Sequence, residues 1–138
     1  RHKNIIGIKE ATGDLNRLQE IKRQVDEDFI LLSGDDMSCL EFMELGGDGV
    51  ISVTANVAPA LMAQMCQAAN DQDWTTAREI NDRLDPLHHG IFIESNPVMP
   101  KWCLFKMNKI TSPAVRLPLV EASEESKIEI ERIMSESL

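Results

Sequence analysis

The sequence predicts an α/β protein in which parallel strands alternate with helices. Three short apolar runs, residues 4–9, 29–33 and 49–54, lack the polar alternation of half-exposed strands, so we expect parallel strands covered on both faces. Segments with apolar residues at helical spacing lie between these runs. The order strand, helix, strand, helix gives three consecutive βα units of about 20 to 25 residues each.

Each βα unit contains a helix marked by its apolar positions. These are Leu15, Leu18, Ile21 and Val25 in the first unit, Met37, Leu40 and Met43 in the second, and Leu61, Met62, Met65, Cys66 and Ala69 in the third. Residues at the helix ends agree with this assignment. We expect Asp14 to cap the first helix, Asp35 or Asp36 to cap the second, Gly46-Gly47 to end the second in left-handed backbone, and Pro59 to lie in the first turn of the third.

From Trp74 onward the strand pattern stops and three further helices are predicted. The first is marked by Trp74, Ala77, Ile80, Leu84 and Leu87, the second runs from Asn96-Pro97 toward Asn108, and the third begins at Ser123. We therefore divide the chain into a sheet-containing part, residues 1–72, and a helical C-terminal region, residues 73–138.

Charge and composition exclude several classes of function. Lysine and arginine number 14 against 23 aspartates and glutamates, a formal charge of −9, which repels nucleic acid phosphates and anionic lipids. No uncharged apolar stretch approaches the ~20 residues of a membrane-spanning helix, and no secretory signal is visible. Cys39, Cys66 and Cys103 are odd in number and widely separated, which favours reduced thiols and a cytoplasmic location.

Lys9 is the residue whose setting points most directly to chemistry. It closes an apolar strand and is followed by a turn-like segment, residues 10–14. Catalytic side chains of parallel α/β folds project from such strand ends. Partial desolvation by neighbouring isoleucines would favour the neutral amine, which is the form that attacks carbonyl carbons. The spacing alone favours a lysine that reaches solvent at a strand end, because such lysines are common.

Three ordered motifs carry a resemblance to a known family. They are GIKEATGDL at residues 7–15, LSGDD at 32–36 and GGDGVISVT at 46–54, and the match continues through Pro86-Leu87-His88, Asn96-Pro97 and Arg116-Leu117-Pro118. Over nearly its whole length the sequence resembles dihydrodipicolinate synthase. The resemblance implies the C-terminal part of a (β/α)8 TIM barrel, with strands six to eight ending at Lys9, Ser33 and Thr54, followed by an appended helical region.

The resemblance also implies a site and a reaction. Lys9 would be the catalytic residue that forms an imine with pyruvate, the backbone carbonyl of Ile51 would bind the keto acid, and Gly34 and Asn96 would lie near the cleft. The implied enzyme is a lyase that condenses pyruvate with aspartate semialdehyde in lysine and diaminopimelate biosynthesis. It needs no metal and no external cofactor, and the full-length parent is expected to be a cytoplasmic homotetramer.

This chain is expected to hold only part of that enzyme. It has 138 residues and begins with Arg1 directly before an apolar run, whereas a complete barrel takes roughly 250 residues. The family's proton relay uses tyrosine and threonine side chains on preceding strands or on a neighbouring subunit, and this sequence contains no tyrosine. We therefore expect the chain alone to be inactive.

Two alternative functions remain open. One is another pyruvate-dependent Schiff-base aldolase, such as an N-acetylneuraminate lyase or a 2-keto-3-deoxy sugar acid aldolase. The other is a non-enzymatic fragment that acts only in assembly.

Three local patterns have simpler interpretations than a site. Residues 46–49 resemble a phosphate-binding loop but precede a strand, so a tight turn explains them better. Asp35-Asp36 are explained by helix capping better than by acid/base catalysis. His88-His89 are adjacent and point to different sides of a helix, which is poor geometry for one metal.

Overall fold

The computed structural model describes residues 2–138, which form a parallel sheet followed by a helical region. The strands are β1 (Gly7–Glu10), β2 (Ile30–Ser33) and β3 (Gly49–Val50), in the spatial order β1-β2-β3. The helices are α1 (Leu15–Lys22), α2 (Cys39–Glu44), α3 (Pro59–Asn70), α4 (Trp74–Gly90), α5 (Val98–Lys106) and α6 (Glu124–Ser137), with a 3-10 helix at Thr54–Asn56. The predicted alternation of parallel strands and helices, followed by helices alone, is confirmed.

The two faces of the sheet differ in what covers them. Lys9 pairs with Leu32, and Glu10 pairs with Ser33, and paired residues of parallel strands point to the same face. The face that carries Glu10 and Ser33 is buried, and Leu31 on this face packs with Leu18 of α1 and with α2. The opposite face, which carries Lys9, is largely exposed. The expectation of strands covered on both faces is therefore wrong for residues 2–138, because their helices pack on one side only.

All three strands are shorter than predicted, β2 by one residue and β1 and β3 by more. Residues 4–6 lie outside β1, and there the Ile5 N–H donates to the His2 carbonyl in a turn. β3 ends at Val50, so the run predicted to reach Thr54 is strand only over its first two residues. The reason is that the N–H groups of Val53 and Thr54 donate to a side-chain carboxylate instead of a strand.

Several helix ends match the predictions. Asp14 caps α1 by accepting a hydrogen bond from the Asn16 N–H, Pro59 is the first residue of α3, and Ser123 caps α6. Gly46 adopts a φ of +90° after α2, the left-handed backbone that glycine favours.

Some of the residues assigned to the first two helices lie outside them. α1 ends at Lys22, before Val25, and α2 begins at Cys39, after Met37. The expected capping of α2 by Asp35 or Asp36 is wrong, because Ser38 occupies the N-cap position and no side chain caps this helix. Asp35 instead accepts from the Ser38 N–H at 3.0 Å, in the turn before α2.

The larger of two hydrophobic clusters among residues 2–138 joins the sheet-containing part to the helical region. Its fully buried members include Cys39 of α2, Met65 of α3, Leu84 of α4, Met99 of α5 and Ile130 of α6. All three cysteines are free, and burial raises the pKa of Cys39 and of Cys103 to about 12. Among residues 2–138 there is no helix with the length and apolar character needed to cross a membrane.

Candidate active site

The carboxyl ends of the three strands bring Lys9, Gly34 and Ile51 to one edge of the sheet. The Gly34 N–H donates to the Glu10 carbonyl at 2.7 Å, and the Ile51 N–H donates to the Ser33 carbonyl at 2.8 Å. These bonds extend the pairing of the strands one residue beyond their ends. Ile51 therefore continues the alternation of β3 and lies on the same face of the sheet as Lys9.

The side chain of Lys9 crosses Gly34. A Cβ atom placed on Gly34 would lie 3.1 Å from the Lys9 Cγ and still closer to its Cε. No residue among 2–138 forms a hydrogen bond or an ion pair with the Lys9 ammonium. An uncommitted amine at the carboxyl edge of a parallel sheet is a candidate nucleophile.

The expected desolvation of Lys9 by isoleucines is not supplied by the described residues. Lys9 is exposed. The neighbouring Ile8 points to the other face of the sheet, since successive side chains of a strand alternate. Any apolar cover over Lys9 would have to come from outside residues 2–138.

Ile51 presents a backbone carbonyl at the same edge. Its side chain is half exposed and its N–H is used by Ser33. Among residues 2–138, no group donates a hydrogen bond to the Ile51 carbonyl oxygen. This oxygen is thus an available acceptor at the same carboxyl edge as Lys9.

A buried carboxylate, that of Glu10, holds the turn that follows Lys9. It accepts hydrogen bonds from the Thr12 hydroxyl at 2.9 Å, from the Thr12 N–H at 3.2 Å and from the Arg17 Nε at 3.1 Å. Burial raises the pKa of Glu10, but the hydrogen bonds from Thr12 and Arg17 outweigh it, and the pKa lies below its ordinary value. Glu10 therefore remains ionised and ties the turn to α1.

A second buried carboxylate, that of Asp36, binds the segment after β3. Asp36 is 1% exposed. It accepts hydrogen bonds from the Ser52 hydroxyl, from the Val53 N–H at 2.8 Å and from the Thr54 N–H at 3.2 Å. The sequence indicates Asp36 only as a possible helix cap, because nothing local in it points to partners 16 to 18 residues away.

His88 connects the same segment to the helical region. It is fully buried, its Nδ1 lies 2.8 Å from the Thr54 hydroxyl, and its buried Nε2 has no hydrogen-bond partner among residues 2–138. Burial lowers the pKa of His88 against the opposing effect of the Asp36 and Asp85 carboxylates. One sequence signal was available, since His88 lies four residues after Leu84 on the buried side of α4.

Within residues 2–138, the remaining candidates form no hydrogen bond with Lys9, Gly34 or Ile51. His89 is exposed and its Nδ1 donates to the Asp85 carbonyl at 2.9 Å, so the two histidines do point to different sides of α4. Asn96 is exposed in the loop before α5 and forms no hydrogen bond with Lys9, Gly34 or Ile51.

A three-stranded parallel sheet with a lysine at its carboxyl edge and helices appended to it places the chain in the α/β class of proteins. The comparison with protein-family models agrees with this class. Residues 1–137 match the dihydrodipicolinate synthetase family. The chain belongs to this family, which confirms the resemblance seen in its motifs.

Two relatives show how much of a family member this chain represents. It is 56% identical over 122 residues to the 4-hydroxy-tetrahydrodipicolinate synthase of Blochmanniella pennsylvanica, covering 88% of this chain and 41% of the relative. It is 50% identical over 136 residues to that of Pseudoalteromonas atlantica, covering 99% of this chain and 46% of the relative. The chain thus spans less than half the length of these relatives.

Solved structures agree in fold over nearly the whole chain. Dihydrodipicolinate synthase from Aquifex aeolicus superposes with a TM-score of 0.93 at 37% identity, covering 96% of this chain and 45% of that structure. The chloride-inhibited enzyme from Acinetobacter baumannii, complexed with pyruvate, superposes with a TM-score of 0.91 at 38% identity, covering 97% and 46%.

Proposed function

We propose that this chain supplies the Schiff-base part of a 4-hydroxy-tetrahydrodipicolinate synthase. The Lys9 amine attacks the ketone carbon of pyruvate, and loss of water gives an imine. Loss of a proton from the methyl carbon turns the imine into an enamine. The enamine carbon adds to the aldehyde of aspartate semialdehyde, after which the amine of that substrate displaces Lys9 and closes the ring.

The observation that carries this proposal is the placement of Lys9 and Ile51 on one uncovered face at the carboxyl edge of the sheet. An amine without a partner can attack a carbonyl, and a free backbone carbonyl beside it can accept a hydrogen bond from the protonated imine. The complex of a family member with pyruvate supports this keto acid as the first substrate.

The proposal extends to the chain's place in a larger enzyme. We assign β1, β2 and β3 to strands six, seven and eight of a TIM barrel. Residues 1–72 form the C-terminal part of the barrel, and residues 73–138 form the appended helical region. The working enzyme would be a cytoplasmic homotetramer whose other barrel strands cover Lys9 and supply the proton relay.

Borohydride trapping tests the nucleophile. The chain is tested alone and co-expressed with the N-terminal half of the Pseudoalteromonas atlantica relative, a combination we term the complemented barrel. Each is incubated with pyruvate, reduced, digested and mapped by mass spectrometry. We expect the adduct on Lys9 of the complemented barrel, none in its Lys9→Ala variant and none in the chain alone.

Lys3→Ala is the matched control, because Lys3 is an exposed lysine just before β1, at the opposite end of the strand. This variant should leave the adduct unchanged. An adduct on another residue, or none in the complemented barrel, would remove Lys9 from the mechanism.

Steady-state assays test the reaction. The complemented barrel should consume aspartate semialdehyde with pyruvate and should not cleave N-acetylneuraminate; the reverse result would assign it to the sialic acid lyases. The chain alone should have negligible synthase activity, since acid/base groups typically contribute roughly 10² to 10⁴-fold. A rate for the chain alone close to that of the complemented barrel contradicts the assignment of the relay to other strands.

A purely assembling role is the second candidate. It is favoured by exposed apolar residues in the sheet and just before it, Ile5, Ile6, Ile8 and Ile30, since such patches often mark interaction surfaces. Formation of a stable complex with the N-terminal half, but no pyruvate adduct and no activity, would favour this role over catalysis.

A further inference from the structure

We propose that Asp36 is a positioning residue that fixes the Ile51 carbonyl for the bound keto acid by holding residues 51–54, here termed the carbonyl loop. This inference rests on the proposed function of Lys9 and Ile51. Asp36 itself touches no reacting atom in this proposal and acts through the backbone of the loop.

Strand pairing alone leaves the carbonyl loop under-restrained. β3 is two residues long, and the last bond of the loop to β2 is that of the Ile51 N–H to the Ser33 carbonyl. The peptide that carries the Ile51 carbonyl follows this bond, so its orientation depends on what holds Ser52. Ser52 is held by Asp36.

The Asp36 carboxylate holds three consecutive residues of the loop. One oxygen accepts from the Ser52 hydroxyl, and the other accepts from the Val53 N–H at 2.8 Å and the Thr54 N–H at 3.2 Å. The Ser52 hydroxyl oxygen in turn accepts from the Ala55 N–H at 2.8 Å. These bonds set the direction in which the chain leaves β3.

The burial of Asp36 makes its carboxylate dependent on the hydrogen bonds from the loop. The carboxylate is 1% exposed, and no lysine or arginine among residues 2–138 forms an ion pair with it. A buried charge is strongly unfavourable unless hydrogen bonds satisfy it, so the carboxylate and the loop order each other. Thr54 is anchored from the other side by His88.

Asp35 provides a matched control. It is the adjacent carboxylate, but it accepts from the N–H and the hydroxyl of Ser38, at 3.0 and 2.6 Å, and does not contact the carbonyl loop. Asp35→Ala should disturb the start of α2 and leave the loop in place. Asp36→Ala should release the loop.

The experiment has two readouts. Hydrogen exchange of the Val53 and Thr54 amides is measured on the chain alone, and the pyruvate concentration that gives half-maximal borohydride trapping is measured on the complemented barrel. In Asp36→Ala we expect loss of amide protection and a rise in that concentration on the order of tenfold, equivalent to about 1.4 kcal/mol. Asp35→Ala should change neither readout.

Asp36→Asn is a second test variant, for the case that Asp36→Ala does not fold. Its amide oxygen can accept from the two backbone N–H groups and its NH2 can donate to the Ser52 hydroxyl, so we expect it to restore most of the protection. Its half-saturating pyruvate concentration should lie between those of wild type and Asp36→Ala. If both Asp36 variants trap pyruvate with the wild-type concentration dependence, or both keep the amide protection, the positioning role is overturned.

Failure of the underlying function gives a different result. If the wild-type complemented barrel forms no adduct on Lys9, both the proposed reaction and the positioning role are refuted. If the adduct forms on Lys9 but the half-saturating pyruvate concentration does not change in the Asp36 variants, only the positioning role is refuted.

Discussion

Replacement of Gly34 by alanine tests how closely the Lys9 side chain is packed at the edge of the sheet. A Cβ at position 34 would lie 2.6 Å from the Ala11 Cβ and 3.1 Å from the Lys9 Cγ. Carbon atoms in favourable contact are about 3.5 to 4.0 Å apart, so the new methyl group would be almost 1 Å too close to Ala11. Lys9 or the turn after β1 must therefore move.

The magnitude follows from two opposing effects. Overpacking of this kind destabilises by about 1 to 3 kcal/mol, whereas removing a glycine from the unfolded chain returns about 0.4 to 1 kcal/mol. Gly34 is not in the left-handed region, so alanine adds no backbone strain there. The net expectation is a loss of about 1 to 2 kcal/mol in the free energy of unfolding.

Displacement of Lys9 should also slow imine formation. Misplacement of a reacting group by about 1 Å can lower a rate on the order of a hundredfold, so we expect slower borohydride trapping with pyruvate in the complemented barrel. Urea denaturation of the chain and trapping kinetics of the complemented barrel measure the two effects separately.

Gly49→Ala is the control for Gly34→Ala. A Cβ at position 49 would meet only the Leu32 Cδ2 within 4 Å, at 3.5 Å, an ordinary contact. This variant should be neutral or slightly stabilising and should trap pyruvate normally. If Gly34→Ala behaves like Gly49→Ala in both assays, the packing of Lys9 over Gly34 is refuted.

Two further predictions concern stability. Burial lowers the pKa of His88 below the ordinary histidine value of about 6.5. The unfolded chain therefore takes up this proton first, and the free energy of unfolding should fall as pH drops from about 6.5. Denaturation between about pH 7.5 and 5.5 should show this decline in wild type and His89→Gln but not in His88→Gln, and an equal slope in all three would contradict it. Leu84→Ala should lower the free energy of unfolding by about 2 to 5 kcal/mol in one transition shared by sheet and helices, whereas the exposed Leu117→Ala should change it by less than about 0.5 kcal/mol; two separate transitions would refute the shared core.

The features that sequence predicted well are those governed by neighbours in the chain. Asp14 caps α1 through a residue two positions away, and Pro59 and Ser123 mark helix starts by equally local rules. The alternation of strands and helices follows from apolar spacing within each segment. The family motifs then indicated Lys9 and Ile51, and the structure places both on one face of the sheet edge.

The features that sequence missed depend on contacts between distant segments. Asp35 and Asp36 are adjacent and chemically identical. Asp35 nevertheless binds Ser38, just before α2, whereas Asp36 binds the carbonyl loop. The same long-range bonds end β3 early, which apolar composition through Thr54 could not show. The pairing of Thr54 with His88 spans 34 residues, and only the helical position of His88 indicated that it is buried.

Glu10 and Asp36 fix the backbone of the proposed site from within this chain. Each is a buried carboxylate that binds backbone N–H groups just beyond a residue of that proposed site, Thr12 after Lys9 and Val53 after Ile51. Both sets of bonds lie within residues 2–138, so the backbone geometry of the edge is encoded in this chain. The cover that would desolvate Lys9 is not, since Lys9 stays exposed. Amide protection of the carbonyl loop should consequently be similar in the chain alone and in the complemented barrel, whereas imine formation should require the latter.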